Sequence, residues 1–210
     1  MSPIALDAQD YGVPQRRKRV FVVGESHELG LSTFSFPDPG TGAATPTVRD
    51  TIGFLPPPPD DGSDHPEWPH HRRDRISPLN KQRLAALQQG QGRQSLPKNL
   101  LADCHRLDSD KIGHRYVYGR MAWDEVAPTI TARFDSFTRG KFGHPDQLRS
   151  ITLREGALLQ TFPERFRFSG GKVDIARQIG NAVPPRLAEV LGRHILLCHS
   201  QKCLKQKEPK

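Results

Sequence analysis

Apolar residues fall along this chain in short, unequal runs separated by long polar stretches. Near the start, Ile4 and Leu6 precede Tyr11-Gly12-Val13-Pro14, and Val20-Phe21-Val22-Val23 then runs to Gly24. The second run is β-branched and aromatic, so the pattern predicts two strands joined by a turn. A continuous apolar strand of that type asks for cover on both faces, as inside an α/β sheet. From 25 to 64 the pattern lapses into loop, with Pro56 to Pro59 barring regular structure and one short helix expected near 48–55. Ser77-Pro78 is a hydroxyl cap followed by proline at the first helical position. Leu79, Leu84 and Leu87 then mark an amphipathic helix ending near Gly90.

The second half is more regular. Tyr116-Val117-Tyr118, Met121-Ala122-Trp123 and Thr129-Ile130-Thr131 alternate in the manner of a β-ribbon. Thr152 with Glu155 three positions on is a capping-box pattern, and Ala157, Leu158 and Leu159 form a helix body that Pro163 stops. Within Gln178-Ile179-Gly180-Asn181-Ala182-Val183-Pro184-Pro185, Gly180 and Asn181 predict a tight polar turn, and the proline pair opens the next helix. Leu187, Val190, Leu191, Ile195 and Leu196 recur there at helical spacing to about Cys198, leaving an apolar face that something must cover. From Ser200 on, Lys202, Lys205, Lys207 and Lys210 make a frayed basic tail.

Composition narrows the class. The 210 residues are 35% hydrophobic, below the usual figure of about 45–50%, and 18 Gly with 19 Pro imply many turns. A formal charge of +8 favours an acidic partner, nucleic acid first. Three Cys fit no paired framework and suggest a reducing compartment. With no apolar run of membrane-spanning length and no signal segment, a soluble cytoplasmic protein is expected, in contact with the bacterial nucleoid.

Several groups could carry chemistry. In Gln15-Arg16-Arg17-Lys18-Arg19, strand alternation places Gln15, Arg17 and Arg19 on one face. A guanidinium row of this kind suits phosphate or a base oxygen, although a solvated charge run reads equally well. Arg139 and Lys141 lie in a polar loop over 134–145 that suits groove or backbone contacts. His65, His70 and His71 gather with Arg72, Arg73 and Arg75 around Trp68, without metal-ligand spacing, so a basic DNA-facing or solvated loop is expected there. Cys104, His105 and His114 read as structural, and no metal site is expected.

Three blocks taken together are more specific. Tyr11-Gly12-Val13-Pro14-Gln15-x-Arg17-x-Arg19, Arg149-x-Ile151-Thr152-x-Arg154-Glu155 with Gln160-x-Phe162-Pro163, and Gln178-x-Gly180-Asn181-x-Val183-Pro184-Pro185 resemble the last three conserved blocks of the DNA cytosine-5 methyltransferases, in order and in separation. The resemblance implies an α/β fold: the incomplete C-terminal portion of a Rossmann-like methyltransferase domain, plus a small, irregular, mostly β target-recognition domain. It divides the chain into terminal strands of the catalytic domain at 1–29, a recognition domain at 30–176 whose variable part is roughly 30–148, a return turn and helix at 177–199, and the tail at 200–210.

The resemblance also implies chemistry. Such enzymes, many of them in restriction-modification systems, flip cytosine out of the duplex. A Cys thiolate in a Pro-Cys context adds to the ring, and S-adenosylmethionine supplies the methyl group. By that likeness Arg19 would hold the base oxygen, Arg17 the backbone and loops, and Gln15 the junction with the recognition domain. Gly180, Asn181, Ala182 and Val183 would line the methionine end of the cofactor. Thr129-Ile130 resembles the Thr-Leu dipeptide late in the recognition domain, so Gln15, Thr129, Ile130, Arg133, Arg139 and Lys141 are the expected DNA contacts.

The chain departs from the pattern where catalysis needs it most. Cys104 follows Asp103, Cys198 follows Leu197 and Cys203 follows Lys202, so no Pro-Cys dipeptide occurs, and neither a Gly-rich loop before residue 12 nor a Glu-Asn-Val segment is present. Leu158 stands where the second block usually carries Arg. Without the thiolate and a positioned cofactor no methyl transfer by this chain alone is expected. The expectation is therefore a DNA-recognising portion, subunit or truncated, that works with an N-terminal methyltransferase half carrying the nucleophile. A non-catalytic sequence-specific DNA-binding module or decayed remnant is the competing class, and a zinc protein using the His and Cys residues a third.

Overall fold

The computed structural model describes residues 3–25, 34–40, 44–103 and 117–205, with side chains through 200. Its regular elements are strands β1 (Ile4–Asp7) and β2 (Lys18–Phe21), then helices α1 (Val48–Ile52), α2 (Pro78–Ala85), α3 (Leu153–Leu159), α4 (Lys172–Asn181) and α5 (Pro185–Lys205). β1 and β2 pair antiparallel, Ile4 opposite Phe21 and Asp7 opposite Lys18; two strands joined by a turn are as expected, but β2 starts at Lys18 and stops before Val22. Leu6, Ala8, Tyr11 and Val13 pack with Leu187 of α5, and Phe21, Phe36, Val190 and Leu191 close around them. Only one face of the hairpin gains cover in this way. Val20 and Val22 on β2 and just beyond it are 66% and 60% exposed. Ile195, Leu196 and Leu197 on α5 are also exposed. The two-sided burial expected of the strand is not met by the described residues.

The principal core lies in the second half. Val48 and Ile52 of α1, Met121, Ile130 and Phe134 of the irregular middle, Ile151 and Leu159 around α3, and Ile175 and Ile179 of α4 form one buried cluster. Reciprocal capping boxes start two of its helices. Thr47 and Asp50 cap α1, and Thr152 and Glu155 cap α3 as the sequence pattern predicts. Ser77 caps α2, which ends at Ala85, short of Gly90. Leu84 and Leu87 there join Leu96 and Phe137 in a smaller cluster.

Three elements differ from expectation. No ribbon forms over 117–133; among the described residues of the expected recognition region the ladder contacts are isolated bridges, Ala127 with Gln15, Arg120 with Gly143 and Gly143 with Ser150. Pro128 and Pro145 remove ladder donors there, and the alternating apolar residues point into the helical core rather than across a partner strand. Described residues therefore give the mostly β recognition domain no regular strand. α4, which the sequence reading passes over, carries Gly180 and Asn181 as its last turn rather than as a free turn. α5 runs to Lys205, six residues into the expected frayed tail, and 206–210 lie outside the described residues. Cys104, His105 and His114 lie outside them as well.

Candidate functional site

The first block and the segment around Thr129 are zipped together. Ala127 N donates to Pro14 O at 2.9 Å, and Arg16 N donates to Ala127 O at 2.9 Å. Thr129 Oγ1 donates to Arg16 O at 2.6 Å. Extended backbone along this seam alternates its side chains, so Gln15 and Arg17 turn inward while Arg16 and Lys18 turn to solvent.

The inward pair is wholly internal. Gln15 donates to Leu159 O at 3.0 Å and to Gln160 Oε1 at 2.7 Å, and accepts from Ile130 N at 3.0 Å. Gln160 passes the chain on to Ile179 O at 2.7 Å. Arg17 donates to Ile130 O at 2.8 Å, Gly180 O at 2.7 Å and Ala182 O at 3.1 Å. Burial, with a smaller contribution from nearby Arg19, lowers its guanidinium to about 10, so it stays charged at neutral pH. Gln15, Arg17 and Ile130 are buried, so none presents a side chain to a duplex. The expected roles of Gln15 and Ile130 as DNA contacts give way to internal ones, because a glutamine amide that satisfies three main-chain and side-chain partners leaves nothing for a base edge. Arg17 joins the segment at Ile130 to the end of α4.

The outward residues converge. Arg16, Thr129, Arg139 and Lys141, with Glu125, line a cleft of about 390 Å³, and buried Phe142 contributes to its wall. Lys141 Nζ lies 3.4 Å from Glu125 Oε2. Three cations against one carboxylate make the cleft positive, and an aromatic wall suits a flat apolar surface. Three of the sequence-predicted DNA residues, Thr129, Arg139 and Lys141, are thus brought together. Arg16, which sequence reasoning left off the site, joins them; the same alternation that selected Gln15 and Arg17 could have found it once the buried face was known. Arg133 is paired instead with Asp135 at 3.1 Å. Arg19 is exposed on β2, donating to Lys18 O at 2.7 Å.

At the end of α4, Gly180 packs so closely that a Cβ would lie 2.3 Å from Thr131 C and O. It fills contact space rather than an open cradle, and the Gly180 and Ala182 carbonyls are spent on Arg17. Asn181 is exposed and Val183 is 46% exposed, whereas the Gly180 and Ala182 carbonyls hold the helix end against Arg17.

A buried polar network surrounds the start of α3. Arg149 grips Glu155 through two 2.7 Å bonds. Burial favours the neutral acid, yet Arg149 outweighs it and holds the Glu155 carboxyl down at about 2. Burial pushes His144, 3.8 Å from Glu155, down to about 4, so it is neutral at pH 7 and the counter-charge is Arg149 alone. His71 pairs with Thr152 Oγ1 at 2.9 Å and Pro56 O at 2.8 Å, and Phe168 N donates to His70 Nε2 at 3.0 Å. Two of the three clustered histidines are therefore internal ties, and no group of metal ligands occurs among the described residues. No described helix is long and apolar enough to cross a membrane.

Comparison with known proteins adds to this geometry. A family model of C-5 cytosine-specific DNA methylases matches residues 1–197. The chain is 39% identical over 191 residues to the Type II methylase M.HgiDII of Herpetosiphon aurantiacus, covering 89% of this chain and 52% of that protein. It is 31% identical over 188 residues to the Type II methyltransferase M.BbvI of Brevibacillus brevis, covering 90% and 46%. The chain thus spans about half the length of these curated relatives. It also shares its fold with the crystal structure of a DNA modification methyltransferase encoded within an E. coli prophage. That match has a TM-score of 0.58 at 24% identity, over 95% of this chain and 60% of the other.

Proposed function

The chain belongs to the C-5 cytosine-specific DNA methylase family, and from that premise we propose that it is the DNA-recognising portion of a DNA (cytosine-5-)-methyltransferase. The whole enzyme transfers a methyl group from S-adenosylmethionine to cytosine C5. One observation carries the reading: Arg16, Thr129, Arg139 and Lys141 meet in a single positive cleft, and Arg17 ties the segment bearing Thr129 and Ile130 to the end of α4. One side of that tie suits duplex DNA, with phosphates held by Arg and Lys and sequence read by side chains between about 65 and 148. On the other side, Asn181 and Val183 supply a wall for the methionine end of the cofactor. The methyl donor brings an electrophilic methyl group when bound; this chain's residues bind and orient around it.

The thiolate nucleophile is absent from these 210 residues, since none of Cys104, Cys198 and Cys203 follows a proline. It comes from a methyltransferase half outside them. The exposed Val20 and Val22 beside the hairpin, and Ile195, Leu196 and Leu197 on α5, support such a half as their cover. On this reading 1–29 and 177–199 belong with that catalytic half and 30–176 recognises DNA.

Methyl incorporation into duplex DNA, measured with this chain alone and with an N-terminal half co-expressed, tests the reading. Incorporation is expected only from the pair. Methylation by the purified chain alone would place the nucleophile within it and overturn the proposal. Duplex binding by the pair with no incorporation would favour the non-catalytic DNA-binding module.

A further inference from the structure

Arg133 is held on three sides and open on the fourth. Its Nε donates to Asp135 Oδ1 at 3.1 Å, while 41% of its side chain is exposed. Two residues before it, Thr131 lines the positive cleft and packs its main chain against Gly180. One residue after it, the buried Phe134 ring fills the space that a Cβ on Gly156 would need. Close packing therefore pins the backbone on both sides of Arg133, and Asp135 pins the side chain. A guanidinium also carries N–H donors on Nη1 and Nη2. Among the described residues no hydrogen bond uses them.

Burial of Asp135 does not by itself call for this arrangement. Asp135 is 4% exposed, and a carboxylate so placed needs a counter-charge. Lys172 supplies one, its Nζ lying 3.4 Å from Asp135 Oδ2 and 2.8 Å from Asp74 Oδ2. Lys172 opens α4, so the carboxylate is anchored to the same helix whose far end meets Thr131. An arginine ordered before its ligand arrives gives up rotamer freedom in folding rather than in binding, which is the gain of preorganisation. We propose that Asp135 is a positioning residue for DNA: it holds Arg133 by Nε and presents the Nη1–Nη2 fork to a backbone phosphate beside the cleft. The planar fork matches two phosphate oxygens. This rests on the reading that the chain grips duplex DNA, and it gives an acidic residue a part in that grip. Charge alone predicts the reverse, because a carboxylate near the duplex repels phosphate.

Duplex affinity of the full chain, measured for Asp135→Ala in the native and in the Arg133→Met background with thermal melts alongside, tests the proposal. Asp135→Ala is expected to weaken binding about threefold or more although it removes a negative charge. Once Arg133 is Met, the same change should leave binding unchanged or tighter. Arg133→Lys, which keeps the charge on a half-exposed side chain, is expected to lose most of what Arg133→Met loses. Equal or tighter binding by Asp135→Ala in the native background overturns the proposal. An equal loss in both backgrounds also overturns it, since Asp135 would then act through the fold and not through Arg133. Native affinity in Arg133→Lys overturns it too, and that variant decides the matter where Asp135→Ala does not fold. Each of these results leaves the DNA reading intact, whereas a native chain that holds no duplex overturns that reading and the proposal together.

Discussion

Arg17 and Gly180, 163 positions apart in sequence, meet through a 2.7 Å hydrogen bond from a buried guanidinium to a helix-end carbonyl. The same guanidinium reaches Ile130 O and Ala182 O, so one side chain ties the segment around Ile130 to the end of α4. Replacing Arg17 with Met strands three main-chain acceptors in a dry interior. The cost is expected to be on the order of 3 kcal/mol, read as a lowered denaturant midpoint. Arg17→Lys should recover only part of it, because an ammonium lacks the planar fork that spans separated carbonyls. A Met variant as stable as the parent would show that the tie contributes nothing to folding.

Gly180 sets the closeness of that packing. An added Cβ would sit 2.3–2.4 Å from the Thr131 and Ala132 backbone, and main chain cannot swing aside. Gly180→Ala is expected to destabilise by about 3 kcal/mol, the upper end of overpacking costs. Gly192, within α5, has nothing within 4 Å of its would-be Cβ. There Gly192→Ala should stabilise by roughly 0.5–1 kcal/mol through helix propensity. Opposite signs in parallel thermal melts are the expected result.

These positions show what sequence reading reached and where it stopped. Capping at Thr152 and Glu155 was legible because it is a local contract between residues three apart. Two strands around a turn are legible in the short apolar runs near 4–6 and 20–23, whereas the register that sets Ile4 opposite Phe21 is not. The inward turn of Gln15 and Arg17 was not legible, because charge and amide chemistry suit a ligand and a buried carbonyl equally well. Only the position of Ile130, more than a hundred residues along, decides between them. Alternation over 117–133 was read as strand, whereas it reports which side chains enter a helical core. The Gly180-Asn181 pair looked like a turn because glycine's close-approach role depends on a neighbour that the local sequence does not contain.

The Glu155 network predicts acid lability in two steps. His144 falls from 6.5 in the unfolded chain to about 4 in the fold, so the unfolded state binds the proton more readily. Stability should decline as pH drops from about 6.5 to 4. Glu155 falls from 4.5 to about 2; its contribution is present above 4.5 and is lost between 4.5 and 2. Each step is on the order of 2–3 kcal/mol, and both weaken the fold in acid. Denaturant melts across pH 3–7 check this. Glu155→Gln should be less stable at pH 7 and lose the lower step while keeping the upper one. A melt that does not depend on pH between 4 and 6.5 would show that His144 is not shifted by burial.

Arg16 and Arg139 on the cleft rim give a quantitative signature of phosphate contact. Each cation that neutralises a phosphate contributes about 0.9 to the slope of log affinity against log salt. Arg139→Ala and Arg16→Ala should each reduce the magnitude of the slope by about 1 for any duplex sequence. Binding isotherms at several salt concentrations measure it. A slope that does not change in either variant would remove that residue from the phosphate contacts.

On the proposed reading, Arg19 separates gripping DNA from acting on it. It is exposed on β2 and donates to the neighbouring Lys18 carbonyl. Arg17 spends its guanidinium on carbonyls at the end of α4, whereas Arg19 is the exposed member of the Gln15, Arg17, Arg19 set. If it holds the flipped base, Arg19→Ala should leave the melting midpoint and duplex affinity close to the parent's. Methyl transfer by the reconstituted pair should fall about 100-fold or more, since misplacement of the reacting ring by an ångström is enough for that loss. Parallel assays of duplex binding and methyl incorporation distinguish this from a plain phosphate contact, for which affinity and activity would decline together.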